Sequence, residues 1–169
     1  MRKITTLANG WRFLKAAIPV DIATAYAAQG EAVSLPHTWN AIDGQDGGND
    51  YHRGTGWYVR ELSAEECAGE RLFLEVNGAA MTAEVYLNGE KLARHEGGYS
   101  TFRVELTEKL CEKNNLAISV NNEDNTTVYP QKADFTFYTG GRLRRPGYRP
   151  RGGHRGTARR IRREERRGR

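Results

Sequence analysis

The sequence predicts an all-β protein, an antiparallel β-sandwich, and three observations predict it. Short apolar segments alternate with polar residues at period two, they recur at roughly ten-residue spacing with turn residues between them, and no long stretch carries the 3.6-residue period of a helix. The clearest segment is 80–105, AMTAEVYLNGEKLARHEGGYSTFRVE.

Taken in order, Trp11-Arg12-Phe13-Leu14 reads as a first strand, and Ile22 to Gln29 is alanine-rich enough for a helical turn or two. Ala32, Ser34 and Leu35 lead into Pro36-His37-Thr38-Trp39-Asn40, where proline ends a ladder and a loop begins. Residues 43–56 hold five glycines and four acidic or amide side chains besides Gln45, a long polar loop of the kind that carries function on β scaffolds. Trp57 to Leu62 resumes strand character. In Arg71 to Val76, Leu72, Leu74 and Val76 share one face while Phe73 and Glu75 take the other.

Ala83, Val85 and Leu87 then alternate with Glu84, Tyr86 and Asn88, and Asn88-Gly89 suits the two left-handed positions of a type I′ turn. Glu90 to Arg94 is therefore expected to fold back antiparallel. After the Gly97-Gly98 break, Tyr99, Thr101 and Arg103 alternate with Ser100, Phe102 and Val104, so Val85, Leu87, Phe102 and Val104 set the core face. Leu116, Ile118 and Val120 form a last strand at period two. A polar loop and an aromatic segment, Phe135 to Tyr138, follow, without the further apolar strand that completes a sheet. Periodicity leaves immunoglobulin-like and jelly-roll topologies both open.

A chain of 169 residues has room for one domain with a proper core. Its net charge of +5 describes neither of its two parts. Residues 1–141 hold 13 Lys or Arg against 19 Asp or Glu, a net of −6; residues 142–169 hold 13 Arg against Glu164 and Glu165, a net of +11. An acidic globular body thus carries a polyarginine tail. Cys67 and Cys111 are too few and too distant in sequence for a disulfide framework and lack metal-site neighbours, so reduced thiols in a cytoplasmic protein are expected. The N-terminal stretch has no apolar run of signal-peptide length and no segment approaches a membrane span, so no membrane partner is expected. His37, His52 and His95 are scattered and are expected to make loop hydrogen bonds rather than bind metal. Trp11, Trp39 and Trp57 are expected between the sheets rather than as a sugar-stacking platform.

Six blocks give the chain a specific resemblance. They are Leu35-Pro36-His37-Thr38-Trp39-Asn40; Tyr51-His52-Arg53-Gly54-Thr55-Gly56-Trp57-Tyr58; Ala83 to Gly89; His95-Glu96-Gly97-Gly98-Tyr99; Asn115 to Asn122; and Asp134-Phe135-Thr136-Phe137-Tyr138. In this order, across about Trp11 to Gly141, they resemble the N-terminal sugar-binding domain of glycoside hydrolase family 2, the β-galactosidase and β-glucuronidase family. The resemblance implies a jelly-roll sandwich, galactose-binding-domain-like, that sits beside a catalytic (β/α)8 barrel with an immunoglobulin-like domain between them. Retaining hydrolysis of this kind uses two carboxylates about 5 Å apart, and in the family both lie on the barrel. A barrel typically needs ~250 residues, so this chain is expected to lack it and to be catalytically silent alone, with no catalytic residue, no metal and no cofactor. What the resemblance lends it is an edge of the active site. Asp134 and Asn49 match the family positions that hold sugar hydroxyls, of a galactoside-like carbohydrate, in the context of the full enzyme; a carboxylate accepts charge-assisted bonds from hydroxyls and an amide both donates and accepts.

The resemblance ends at Gly141, where the family continues into a final strand and this chain continues Arg142-Leu143-Arg144-Arg145-Pro146-Gly147. Pro146 and Pro150 remove ladder donors there, and adjacent arginines would put charge on a core face. The expected organisation is a sugar-binding sandwich over 1–141 that lacks its last strand, and an Arg/Gly-rich disordered tail over 142–169, derived from a reading-frame shift near Gly141. Two alternatives stand beside it: a free-standing carbohydrate-binding module, and a nucleic-acid binder working through the tail by non-specific phosphate contact.

Overall fold

The computed structural model describes residues 4–39, 52–69, 71–79, 81–123 and 126–128, together with a backbone strand at 158–163. Among the described residues the strands are β1 (Ile4–Thr5), β2 (Trp11–Leu14), β3 (Glu31–Val33), β4 (Thr55–Leu62), β5 (Leu72–Val76), β6 (Thr82–Leu87), β7 (Glu90–Glu96), β8 (Phe102–Glu105), β9 (Asn114–Asn121) and β10 (Ala158–Arg163). They form a four-stranded sheet in the order β1-β10-β5-β8 and a six-stranded sheet in the order β3-β2-β4-β9-β6-β7. Every pairing is antiparallel.

Alternation places the core between the sheets. Leu72, Leu74 and Val76 of β5 meet Val85 and Leu87 of β6 and Leu116, Ile118 and Val120 of β9, all buried. Each such side chain contributes roughly 1.5–3 kcal/mol by leaving water. The six-stranded sheet is covered on its outer face as well. Helix α1 (Val20–Ala25) lies there, with Ala23, Ile18 and Val20 packed against Trp57, Val59 and Ala117. Trp57 Nε1 donates to Ile18 O at 3.0 Å. Double coverage explains why β4 reads Gly-Trp-Tyr-Val as an unbroken apolar run: residues on both of its faces are buried. Trp11 and Trp39 lie in the core between the sheets, as the sequence predicts, whereas Trp57, expected there too, is buried on the outer face of the six-stranded sheet beneath α1.

The Asn88-Gly89 turn forms as expected. Leu87 pairs with Glu90 across it, and Asn88 and Gly89 have φ of 53° and 83°, the doubly positive signature of type I′. One extra residue, Leu92, sits in β7 opposite the Val85–Tyr86 step, a bulge on the edge strand. Helix α2 (Ala64–Cys67) is a single turn closed by a capping box, Ser63 Oγ accepting from Glu66 N while Glu66 accepts from Ser63 N.

The structure differs from the expected tail at 158–163. These residues form β10, paired with β5 from Ala158↔Val76 to Arg163↔Leu72 and with β1 at Ile4 and Thr5. β10 thus lies between β1 and β5 in the four-stranded sheet. Ladder bonds are made by backbone groups, and a slot with a partner on each side offers them to a segment whose side chains show no strand pattern. The rest of 142–169, and the 141/142 boundary, lie outside the described residues.

Candidate functional site at the loop end of the sandwich

The register of the six-stranded sheet brings four strand ends together. Thr55, at the start of β4, pairs with Asn121 at the end of β9; Asn121 also pairs with Thr82 at the start of β6, and Thr82 with Glu96 at the end of β7. The chain enters β4 from residues 40–51 and leaves β9 towards residues 129–134. Asn49 and Asp134 themselves lie outside the described residues. Their two stretches nevertheless have neighbouring roots on adjacent strands.

Asn122 ties these roots together. Its Nδ2 donates to His52 O at 2.7 Å, its Oδ1 accepts from Gly54 N at 2.7 Å, and its own N–H donates to Gly54 O at 3.1 Å. The residue is 3% exposed, so these bonds satisfy groups that water does not reach. Beside it, Asn121 Nδ2 donates to Thr55 Oγ1 at 3.0 Å and to Glu123 at 2.9 Å. His52 and Gly54, two of the last three residues before β4, are thus held to the first residue after β9.

Beneath this tie lies an aromatic floor. Phe13 is packed on Tyr58 (ring centroids 4.8 Å apart), His37 (4.9 Å) and Trp39 (5.5 Å), and Trp39 meets His52 edge-on at 6.0 Å. Gly56 is what lets the floor close: a Cβ there would lie 2.0 Å from Trp39 Cζ3 and 2.7 Å from Phe13 Cε2. His37 Nδ1 shares a hydrogen bond of 3.0 Å with Tyr58 OH. Burial holds the His37 imidazole below its ordinary pKa, with Lys15 adding to the shift and Glu31 opposing it. Burial also pushes the Tyr58 phenol well above its usual range, so both rings are neutral and the bond joins two uncharged groups.

Of the three histidines expected to make loop hydrogen bonds, His37 does so, whereas His95 lies on strand β7 and from there bonds Ser100 Oγ at 2.8 Å. Among the described residues no group of three or more His, Cys, Asp and Glu is placed to hold a metal. Four of the described carboxylates form scaffold ion pairs: Glu66 with Arg60, Glu75 with Arg103, Glu84 with Lys91 and Glu105 with Arg71. Asn122, Gly56 and Tyr58 emerge as the residues that shape the end of the sheet. Their signal in the sequence is that each lies inside one of the quoted blocks, and the structure shows the described parts of these blocks touching: His37 and Trp39 pack on Tyr58, His52 and Gly56, and Asn122 clasps His52 and Gly54.

Comparison with known proteins agrees with this geometry. The family model described as glycosyl hydrolase 2, galactose-binding domain-like, matches residues 7–151, most of the chain. The chain belongs to that family. The match runs past Gly141, where the resemblance read from the sequence stops. A β-glucuronidase of Bacteroides fragilis is 37% identical over 144 residues, covering 82% of this chain and 19% of the relative. A β-galactosidase of Thermoanaerobacter pseudethanolicus is 28% identical over 68% of this chain and 17% of its own length. Among solved structures, an FMN-binding β-glucuronidase from Faecalibacterium prausnitzii superposes with a TM-score of 0.67 at 41% identity, over 83% of this chain and 21% of that one. β-Glucuronidase 2 of Bacteroides uniformis gives 0.72 at 32%, over 83% and 17%. The chain thus spans about a fifth of the length of these relatives, and what it matches is their galactose-binding-like sandwich.

Proposed function

We propose that this chain is the non-catalytic N-terminal sandwich of a family 2 β-glycosidase, and that its loop end supplies sugar contacts to a cleft on a separate catalytic barrel. The observation that carries this reading is the family match over 7–151, supported by the tie that Asn122 makes between the end of β9 and the described residues His52 and Gly54 that lead into β4. In it Asp134 accepts hydrogen bonds from sugar hydroxyls and Asn49 both donates and accepts, while the carboxylates that cleave the bond belong to the barrel. A galactoside or a glucuronide fits equally, since relatives of both names match and the subsites that choose between them belong to the barrel. The burial of Trp11, Trp39 and Trp57 disfavours a free-standing module built on a tryptophan platform.

Calorimetry of the chain with methyl β-galactoside and methyl β-glucuronide tests the reading, together with hydrolysis of the matching nitrophenyl glycosides. No measurable binding and no turnover above buffer are expected. Binding at millimolar affinity or better, without turnover, would replace this reading with that of an independent carbohydrate-binding module.

A further inference from the structure

Cys67 and Cys111 lie 44 positions apart in the sequence, yet the fold sets them on either side of one buried side chain. Asn114 Nδ2 donates to Cys67 Sγ at 3.6 Å and to Cys111 O at 2.8 Å, and Asn114 Oδ1 accepts from Cys111 N at 2.8 Å. The Cys111 thiol leans on Lys109 O at 4.0 Å, and that carbonyl also accepts from Asn88 Nδ2, which in turn donates to Asn114 Oδ1. Both cysteines therefore border the same knot of amides, at the end of the sheet opposite the loop end. Neither is in a disulfide. Cys67 closes the one-turn helix α2 and is partly buried; Cys111 is exposed, two residues after the 3-10 turn Thr107–Lys109.

We propose that Cys67 and Cys111 form a reversible thiol–disulfide site, bridged by exchange with a low-molecular-weight disulfide such as oxidised glutathione. The exposed Cys111 thiolate attacks one sulfur of the oxidised glutathione and expels a glutathione thiolate. Cys67, as thiolate, then attacks the Cys111 sulfur of the mixed disulfide and expels the second glutathione. The two cysteines lose two electrons, the glutathione disulfide gains them, and the two thiol protons end on the two released glutathiones. Cys111 is the entry point because it is exposed, and Cys67 is the resolving partner because Asn114 holds it at the same knot. Closing the bridge requires the Asn114 hydrogen bonds to the Cys111 backbone to open, so that the two Cα atoms can come within the span of about 4.4–6.8 Å that a disulfide allows. It ties α2 to the residues before β9 and closes a long loop around β5 to β8.

The test is incubation of the full chain with oxidised glutathione, alkylation of remaining thiols under denaturing conditions, and intact-mass and peptide analysis. A monomer about 2 Da lighter, with no alkyl group added and one cross-linked peptide joining Cys67 to Cys111, is the expected result. Its Tm should rise on the order of 10 °C and return on reduction. Cys111→Ser should lose both the bridge and the shift, and Cys67→Ser should hold glutathione stably on Cys111. Alkylation of both cysteines, separate glutathione adducts on each, or a bridge only between two chains would overturn the proposal.

Discussion

At one end of the six-stranded sheet the chain reverses within two residues, Asn88-Gly89, and at the other end twelve residues separate Trp39 from His52. Both ends are fastened by a buried asparagine. Asn114 fastens the short-turn end by bonding to its close neighbour Cys111 and to the Asn88 side chain from the hairpin. Asn122 fastens the loop end by bonding to His52 and Gly54, some seventy residues away in sequence. A turn of fixed type needs little beyond its own residues to hold its shape. A long loop has no such local rule, so its root must be held by the opposite strand. That division matches the functional reading: a scaffold end that is closed on itself, and an end whose described roots are hydrogen-bonded together and lead into the stretches to which the proposed sugar contacts belong.

The largest effect should come from filling the aromatic floor. Gly56→Ala forces Trp39 or Phe13 to move and should cost about 3 kcal/mol or more, read as a fall in the denaturant midpoint; an unchanged midpoint would mean that the floor does not close as described. Asn114→Ala leaves the amide and carbonyl of Cys111 without their partner and should cost roughly 2–3 kcal/mol across the whole domain. Asn122→Ala should cost about 2 kcal/mol, and its exchange signature should differ. The Gly54 amide, now without its acceptor, should exchange faster while the hairpin amides near Asn88 keep their protection. Equal loosening at both ends would break the distinction drawn between them.

The smallest effect is one of pH and belongs to the loop end alone. His37 is held neutral by burial, so its folded pKa lies below its unfolded value near 6.5. The unfolded chain therefore takes up a proton first as pH falls. The stability contributed by the neutral ring is complete above about pH 6.5 and is lost as pH drops through the folded pKa. His37→Gln should flatten the slope of stability against pH over that window, whereas a substitution at the Asn88 turn should leave the slope as it is.

Much of the scaffold is legible in the sequence because its information is local. Leu72-Leu74-Val76, Val85-Leu87 and Leu116-Ile118-Val120 announce strands by alternation, and Asn88-Gly89 announces its turn by the only backbone geometry it suits so well. Strands of two or three residues, such as Ile4–Thr5 and Glu31–Val33, are shorter than the period that would reveal them. β10 is hidden for a different reason: ladder bonds to β5 and β1 involve no side-chain pattern. The ties at the sheet ends are illegible because an asparagine in a turn-rich sequence looks like a turn residue, and only the fold shows that Asn122 reaches His52. Cys67 and Cys111 are separated in sequence and adjacent to one asparagine in space, which no spacing rule anticipates. Asn49 and Asp134 rest on the family resemblance and on the position of their roots.

The most direct test of the central claim is to graft residues 7–134 in place of the corresponding segment of the Bacteroides fragilis β-glucuronidase and to measure hydrolysis of a glucuronide by the graft with and without Asp134→Ala. The account predicts an active graft whose KM rises about tenfold or more when Asp134 is removed, as expected for the loss of a charge-assisted hydrogen bond worth about 1.5–3 kcal/mol. An active graft with the same KM and kcat before and after the substitution would contradict it.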